Sequence, residues 1–271
     1  MSRARISVTA EVDWTAEEDA SAVLLVRAAE ASDQEIAEET LEVEGARVEE
    51  GPLRDDGARP IRLHAPAGAV RLRYRAVVDL ERDGRLAVAD DRPLLSASQL
   101  PFALLPWTLP SRYAPSDLLG ATAKAELGLG PRARALLPVA AEWVRTRIDY
   151  IPGASDALTS ADETLLRRQG VCRDMAHLTV SLLRGLEVPA RVVACYAPLL
   201  DPPDFHALVE AHDGEAWRLI DATGLAPVET IVRVASGRDA ADIAWATGDG
   251  ALVLKDLRVT AESTGSPASA P

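Results

Sequence analysis

Residues 168–186 read RQGVCRDMAHLTVSLLRGL, and 205–221 read FHALVEAHDGEAWRLID. After Cys172 apolar side chains recur at 175, 178, 182 and 186, with Leu183 alongside. That spacing predicts a helix buried on one face. It should begin at or near Gly170–Val171–Cys172, end at Gly185 and be stopped by Pro189. Cys172 then sits at a helix N-terminus, where unsatisfied N–H groups and the macrodipole favour an anion. Gly170 would leave room for a substrate backbone, and Arg173 adds a neighbouring positive charge.

Next come an apolar strand, ARVVACYA (190–197), and a proline-rich turn, LDPPD. HALVEAH and AWRLID follow, separated by Asp213, Gly214 and Glu215. Asp-Gly is a strong signal for a two-residue type I′ hairpin. With that turn, residues 212 and 215 pair first and His206 falls directly opposite Asp221. Opposed side chains share a face, with Cβ atoms about 4.5–5.5 Å apart, whereas a one-residue slip separates them. Cys172, His206 and Asp221 then form a nucleophile, a base and a carboxylate that orients the base.

Cysteine is often simply buried, and Cys195, inside an apolar strand, is read that way. For Cys172 the coincidence with His206 and Asp221 overturns that reading. His177 lies about 140° round the same helix at 100° per residue and is read as a surface or core histidine. His212 falls at the hairpin end, and His64 stands alone far upstream. Asp174 is expected to accept backbone N–H bonds in the first helical turn. Arg191 and Trp217 are read as packing and ion-pair residues, and Tyr196 as core or cleft wall.

Farther upstream, Ile6, Val8, Ala10 and Val12 alternate with polar residues, as do Val70, Leu72, Tyr74, Ala76 and Val78. These strands predict an antiparallel β-sandwich-like domain over residues 1–105. Its acidic stretch from Asp33 to Asp56 is read as a solvated face. LPFALLPWTLPSRYAPSD (100–117), with four prolines, reads as a surface connection. In ARALLPVAAEWVRTRI the residues Leu137, Ala140 or Ala141, Val144 and Ile148 recur at helical spacing, with Pro138 in the first turn. A catalytic domain is expected over 106–262 and a disordered tail over 263–271.

A chain of 271 residues suits one large domain or two ordinary ones. With 48% hydrophobic and 26% charged residues it is globular in composition. The net charge of −13, with no basic run, argues against nucleic acid as a partner. Neither a secretory h-region nor a stretch near 18 apolar residues is present, so no membrane partner and a cytoplasmic location are expected. Two cysteines make neither a disulfide framework nor a metal cluster.

The stretch 170–223 resembles the transglutaminase-like superfamily of papain-fold cysteine enzymes. The resemblance rests on G-x-C-x-D (Gly170, Cys172, Asp174), P-A-R (Pro189–Arg191), the strand ending in Tyr196, H-A-x-V-E (His206–Glu210) and W-x-x-x-D-A-T (Trp217–Thr223). PSRYAPSD before it and GRDAADIAWATGDGALVLKDLRVTAE after it resemble the bacterial branch, which carries an N-terminal β-domain. The implied fold is α+β: a β-sandwich-like domain, then a papain-like core with the cysteine helix packed on an antiparallel sheet. Two positions depart from the family pattern. Leu208 stands where members carry Trp, which could reshape the acyl pocket, and Cys195 replaces a Gly.

The resemblance implies a Cys-His-Asp triad that forms a thioester with a peptide or protein amide and passes the acyl group to water or an amine. No cofactor and no metal are needed. One oxyanion donor is expected to be the Cys172 N–H, the second a side chain: Tyr150 is favoured over Gln169. Hydrolysis is preferred to cross-linking, because transamidation needs a cleft that excludes water. The alternatives are an inactive peptide-binding module, favoured by Leu208 alone, an amine-accepting transglutaminase, and arylamine N-acetyltransferase-like chemistry, whose flanking motifs match poorly.

Overall fold

The computed structural model describes residues 2–82, 90–128 and 133–265. Six strands come first: β1 (Ser2–Ala16), β2 (Ala20–Leu24), β3 (Gln34–Glu44), β4 (Arg47–Glu50), β5 (Ile61–Ala65) and β6 (Gly68–Arg82). The connection over 97–108 folds as two short 3₁₀ turns, before α1 (Ser116–Leu127) and α2 (Leu136–Arg145). Then follow β7 (Asp149–Tyr150), α3 (Ala161–Arg167), β8 (Gln169–Gly170), α4 (Cys172–Gly185), β9 (Ala190–Tyr196), β10 (Phe205–His212) and β11 (Trp217–Ile220). The described chain closes with β12 (Val232–Gly237), α5 (Ala240–Ile243), β13 (Ala246–Gly248) and β14 (Leu252–Gly265).

The expected α+β class holds. Alternation in β1 and β6 places Ile6, Val8, Ala10 and Val12 inside with Val70, Leu72, Tyr74, Ala76 and Val78. Two antiparallel sheets, ordered β14-β1-β6-β3 and β13-β2-β5-β4, bury their apolar faces in one core. Residues 246–265, expected to end the catalytic domain and begin the tail, instead pair with β2 and β1. Residues 263–265 belong to β14, and the rest of the expected tail lies outside the described residues.

The acidic stretch is not uniformly solvated. Glu35, Glu38, Glu42 and Glu44 are exposed, but Asp33 pairs with Arg82 and Arg233, and Glu39 with Arg27 and Arg59. Burial alone would raise the Glu39 carboxyl, but hydrogen bonds from Arg59, Arg27 and Tyr74 bring it down to about 2. Single carboxylates in that run close the junction to the second half of the chain, a role that charge density alone does not reveal.

The second half is a sheet ordered β11-β10-β9-β12, with α4 against one face. α4 departs from expectation in being buried all round from Asp174 to Arg184, because α1, α2, α3, β9 and β10 surround it. Most of its polar side chains find protein partners, though the buried His177 Nδ1 has none among the described residues. Thr179 and Ser181 donate to carbonyls one turn back, and Arg184 donates to the carbonyls of Ala190, Leu109 and Arg238. His177 is a core residue: its Nε2 accepts the Ala240 N–H at 3.0 Å, it stacks on Tyr113, and burial lowers its pKa to about 4.

The two halves are joined by aromatic contacts. Tyr196 is core rather than cleft wall; it stacks on Tyr74 with centroids 6.3 Å apart and donates its hydroxyl hydrogen to the carbonyl of Val26. Phe205 packs on Tyr196 and on Trp245, which stacks on Trp14. The start of β10 is thereby pinned to the N-terminal sheets.

Candidate active site

Cys172 is the first residue of α4 and is partly exposed. The N-terminus of the helix is built by Asp174, fully buried, which accepts the Val171 N–H at 2.8 Å and the Ser155 hydroxyl hydrogen. Asp174 is structural, as the sequence suggests. Arg173 differs: its guanidinium turns back to Asp174 at 2.8 Å and to the carbonyl of Asp156. Its charge is spent on that carboxylate rather than offered to the thiol.

Gly170 also has another purpose. A Cβ there would lie 2.8 Å from the Asp174 Cβ and 3.0 Å from its Oδ2. The missing side chain makes room for Asp174, not for a substrate. Gly170→Ala is therefore expected to destabilise the protein by about 1–3 kcal/mol and to slow alkylation of Cys172, read from urea midpoints and labelling rates. An unchanged midpoint and rate would refute this account.

His206 is 2% exposed and is the second residue of β10. The hairpin that leads to Asp221 turns one residue later than expected. His212 pairs with Trp217, and the Asp213 N–H donates to the carbonyl of Ala216, so Gly214 and Glu215 are the central pair. Only Gly214 has positive φ, +98°, the pattern of a type II′ turn with Gly first. The cause is Asp213, whose carboxylate accepts from the N–H groups of Glu215 and Ala216 and from Arg218, fixing it before the turn.

Moving the turn by one residue slides the pairing by two, which preserves the face. Asp221 follows β11 as a diagonal neighbour of His206 rather than a direct one, and the contact survives: Nε2 to Oδ2 is 3.2 Å. Asp221 is held by three further donors, the Thr223 N–H at 2.8 Å, the Thr223 hydroxyl at 2.7 Å and the Ala226 N–H at 3.0 Å. Burial pushes its carboxyl up, but the bond to His206 and these donors hold it below the usual carboxylate range. Thr223 had no role in the sequence reading. Its signal was available in Asp-x-Thr, where an Asp accepts the N–H two residues on.

Burial works against a charged His206. Hydrogen bonds with Asp221 and with Cys172 overcome it and raise the imidazole to about 9. Since Nε2 faces Asp221, Nδ1 is left for the thiol. Tyr150, paired with Gly170 across β7 and β8, neighbours Cys172. Burial, and next the charge Cys172 can carry, push its hydroxyl up to about 12. Gln169 is exposed and pairs with Asp149. Cys195 is fully buried directly opposite His206 on β9.

Leu208 alternates onto the face of His206 and, continuing the hairpin register, falls opposite Asp221. It is 1% exposed and packs with Val193, Cys195, Ala197, Ala226 and Ile231 in a small second core. Arg191 and Trp217 are scaffold: the guanidinium lies 4.2 Å from the indole centroid and bonds Glu210. Among the described residues no three His, Cys, Asp or Glu side chains gather to hold a metal ion. No helix among them is long and apolar enough to cross a membrane.

Similar proteins carry the same frame. The family model described as the transglutaminase-like superfamily core matches residues 131–222. A crystal structure from Cytophaga hutchinsonii, described as a candidate cysteine protease, is 31% identical, covers 99% of this chain and 93% of its own, and superposes with a TM-score of 0.92. The chain belongs to the transglutaminase-like superfamily.

An uncharacterized protein of Mycobacterium leprae is 31% identical over 143 residues, 50% of this chain and 51% of the relative. One of Mycobacterium tuberculosis is 28% identical over 118 residues, 38% of either chain. The chain thus spans about half, or less, of the curated relatives it matches. The matched family region contains Tyr150, Cys172, His206 and Asp221 together.

Proposed function

We propose that this transglutaminase-like protein is a cysteine-dependent acyl-transfer enzyme that hydrolyses a peptide, isopeptide or amide bond through a Cys172 thioester. The observation that carries this reading is His206, buried, bonded to Asp221 at 3.2 Å and neighboured by Cys172, with its pKa raised to about 9. Such an imidazole holds a proton at neutral pH beside a sulfur at a helix N-terminus, the arrangement of a thiolate–imidazolium pair.

In the proposed cycle the Cys172 sulfur attacks the amide carbon, and the carbonyl π electrons move to oxygen. The oxyanion forms beside the Cys172 N–H, with the Tyr150 hydroxyl, on the strand that pairs with Gly170, as the proposed second donor. Collapse expels the amine, which takes the His206 proton, and leaves a thioester. Neutral His206 then takes a proton from water; the hydroxide adds, the thiolate departs, and the imidazolium is restored. Asp221 keeps Nε2–H in place and offsets the positive charge in each half. An amine in place of water gives transamidation by the same steps.

Iodoacetamide labelling tests the pair. At pH 6 Cys172 is expected to alkylate readily, with the adduct located by mass spectrometry. His206→Ala should slow it on the order of tenfold, since the thiolate is the nucleophile. Equal rates in the two proteins would remove the reading.

A further inference from the structure

The loop that leads into β10 carries a carboxylate with no assigned task. Asp204 is exposed and immediately precedes Phe205, the first residue of β10. Continuing the alternation of the strand puts it on the face of His206, about 7 Å along the chain. Its Oδ1 accepts only the Phe205 N–H, at 2.7 Å, and among the described residues it makes no ion pair. The acids that structure the site and the junction, Asp33, Asp174, Glu210 and Asp213, are by contrast paired with arginine.

Two members of the site feel its charge: Asp204 raises the Tyr150 hydroxyl, and His206 acts back on Asp204. Asp204 thus lies near both residues that neighbour Cys172. Arg173, the adjoining cation on α4, is committed to Asp174.

We propose that Asp204 is a specificity-determining residue that selects a cationic group, an ammonium or guanidinium, next to the bond processed at Cys172. This rests on the acyl-transfer reading of the site. The cation could be carried by a basic residue of the acyl donor or by an amine acceptor. Both would be drawn by the same unpaired carboxylate and by the net charge of −13.

The test compares wild type with Asp204→Asn, which keeps an oxygen for the Phe205 N–H. Cys172 is labelled with the cationic aminoethyl and the anionic sulfonatoethyl methanethiosulfonate, and adducts are assigned by mass spectrometry. The cationic-to-anionic rate ratio should fall about fivefold in the variant, and less in high salt. An unchanged ratio overturns the proposal.

Peptide amides with lysine or norleucine beside the scissile bond, with and without an added diamine, separate the two sources. A lysine preference lost in the variant places the cation on the donor; a loss confined to diamine incorporation places it on the acceptor. Equal loss for lysine and norleucine peptides, with diamine incorporation unchanged, counts against cation selection. If wild type turns over no peptide amide yet the labelling ratio falls, the acyl-transfer reading fails and cation selection at Cys172 stands.

Discussion

Asp221→Asn is expected to lower turnover of a peptide amide by on the order of 10⁴-fold while leaving the fold intact. The amide oxygen can still accept from the Thr223 N–H and hydroxyl, which bond one Asp221 oxygen at 2.7–2.8 Å, but the amino group that replaces the other oxygen cannot accept from Ala226 or His206. Nor can the amide balance the imidazolium, because the carboxylate charge that helps raise His206 to about 9 is gone. The sign follows from the acid role of His206. In wild type its proton is available to the leaving amine until pH rises through about 9, so kcat/KM should fall on that alkaline limb. In Asp221→Asn the limb moves to lower pH.

Stability carries the same signature. The raised pKa stabilises the fold fully below the ordinary value of 6.5, and that contribution is lost as pH rises through about 9. A variant within about threefold of wild type, with an unmoved alkaline limb, would show that Asp221 does not serve His206.

The second large effect lies away from the thiol. Glu210, 1% exposed, bonds Arg191 at 2.7 Å and Arg233 at 2.8 Å, and Arg233 and Arg82 both reach Asp33. This chain of charges crosses from β10 through β12 to the N-terminal sheets. Glu210→Ala strands two buried guanidinium groups without their shared carboxylate, which should cost about 3–5 kcal/mol. Urea unfolding followed by tryptophan fluorescence and by far-ultraviolet circular dichroism should give one coincident transition, shifted to lower urea. A loss below about 1 kcal/mol would mean that water reaches the cluster and satisfies it.

The parts of this molecule that a sequence exposes are those set by local periodicity and chain order. β1 and β6 follow their alternation residue by residue, and α4 begins at Cys172 and ends at Gly185 where its punctuation says. The grouping of Cys172, His206 and Asp221 was legible for a sturdy reason: a hairpin slip of two residues changes partners without changing faces. Features that depend on distant segments were not legible. Nothing near Gly170 says that the Asp174 side chain will fill its space. Nothing in the Asp33–Asp56 run says which acids meet arginines from other strands. The buried far side of α4 required knowing that α1 and α3 would cover it.

β1 and β14 lie side by side along most of their length, with Val12 opposite Leu257. A ribosome releases the first of these long before the second. At about 5–20 residues per second the wait is on the order of ten seconds or more, and in that interval everything around Cys172 is synthesised. Until residues 252–265 emerge, one flank of β1 has unpaired backbone groups able to recruit another nascent chain. Completion of the N-terminal sheet thus follows synthesis of the thiol-bearing half rather than preceding it. Chaperone demand should be concentrated there, with the thiol-bearing half already assembled.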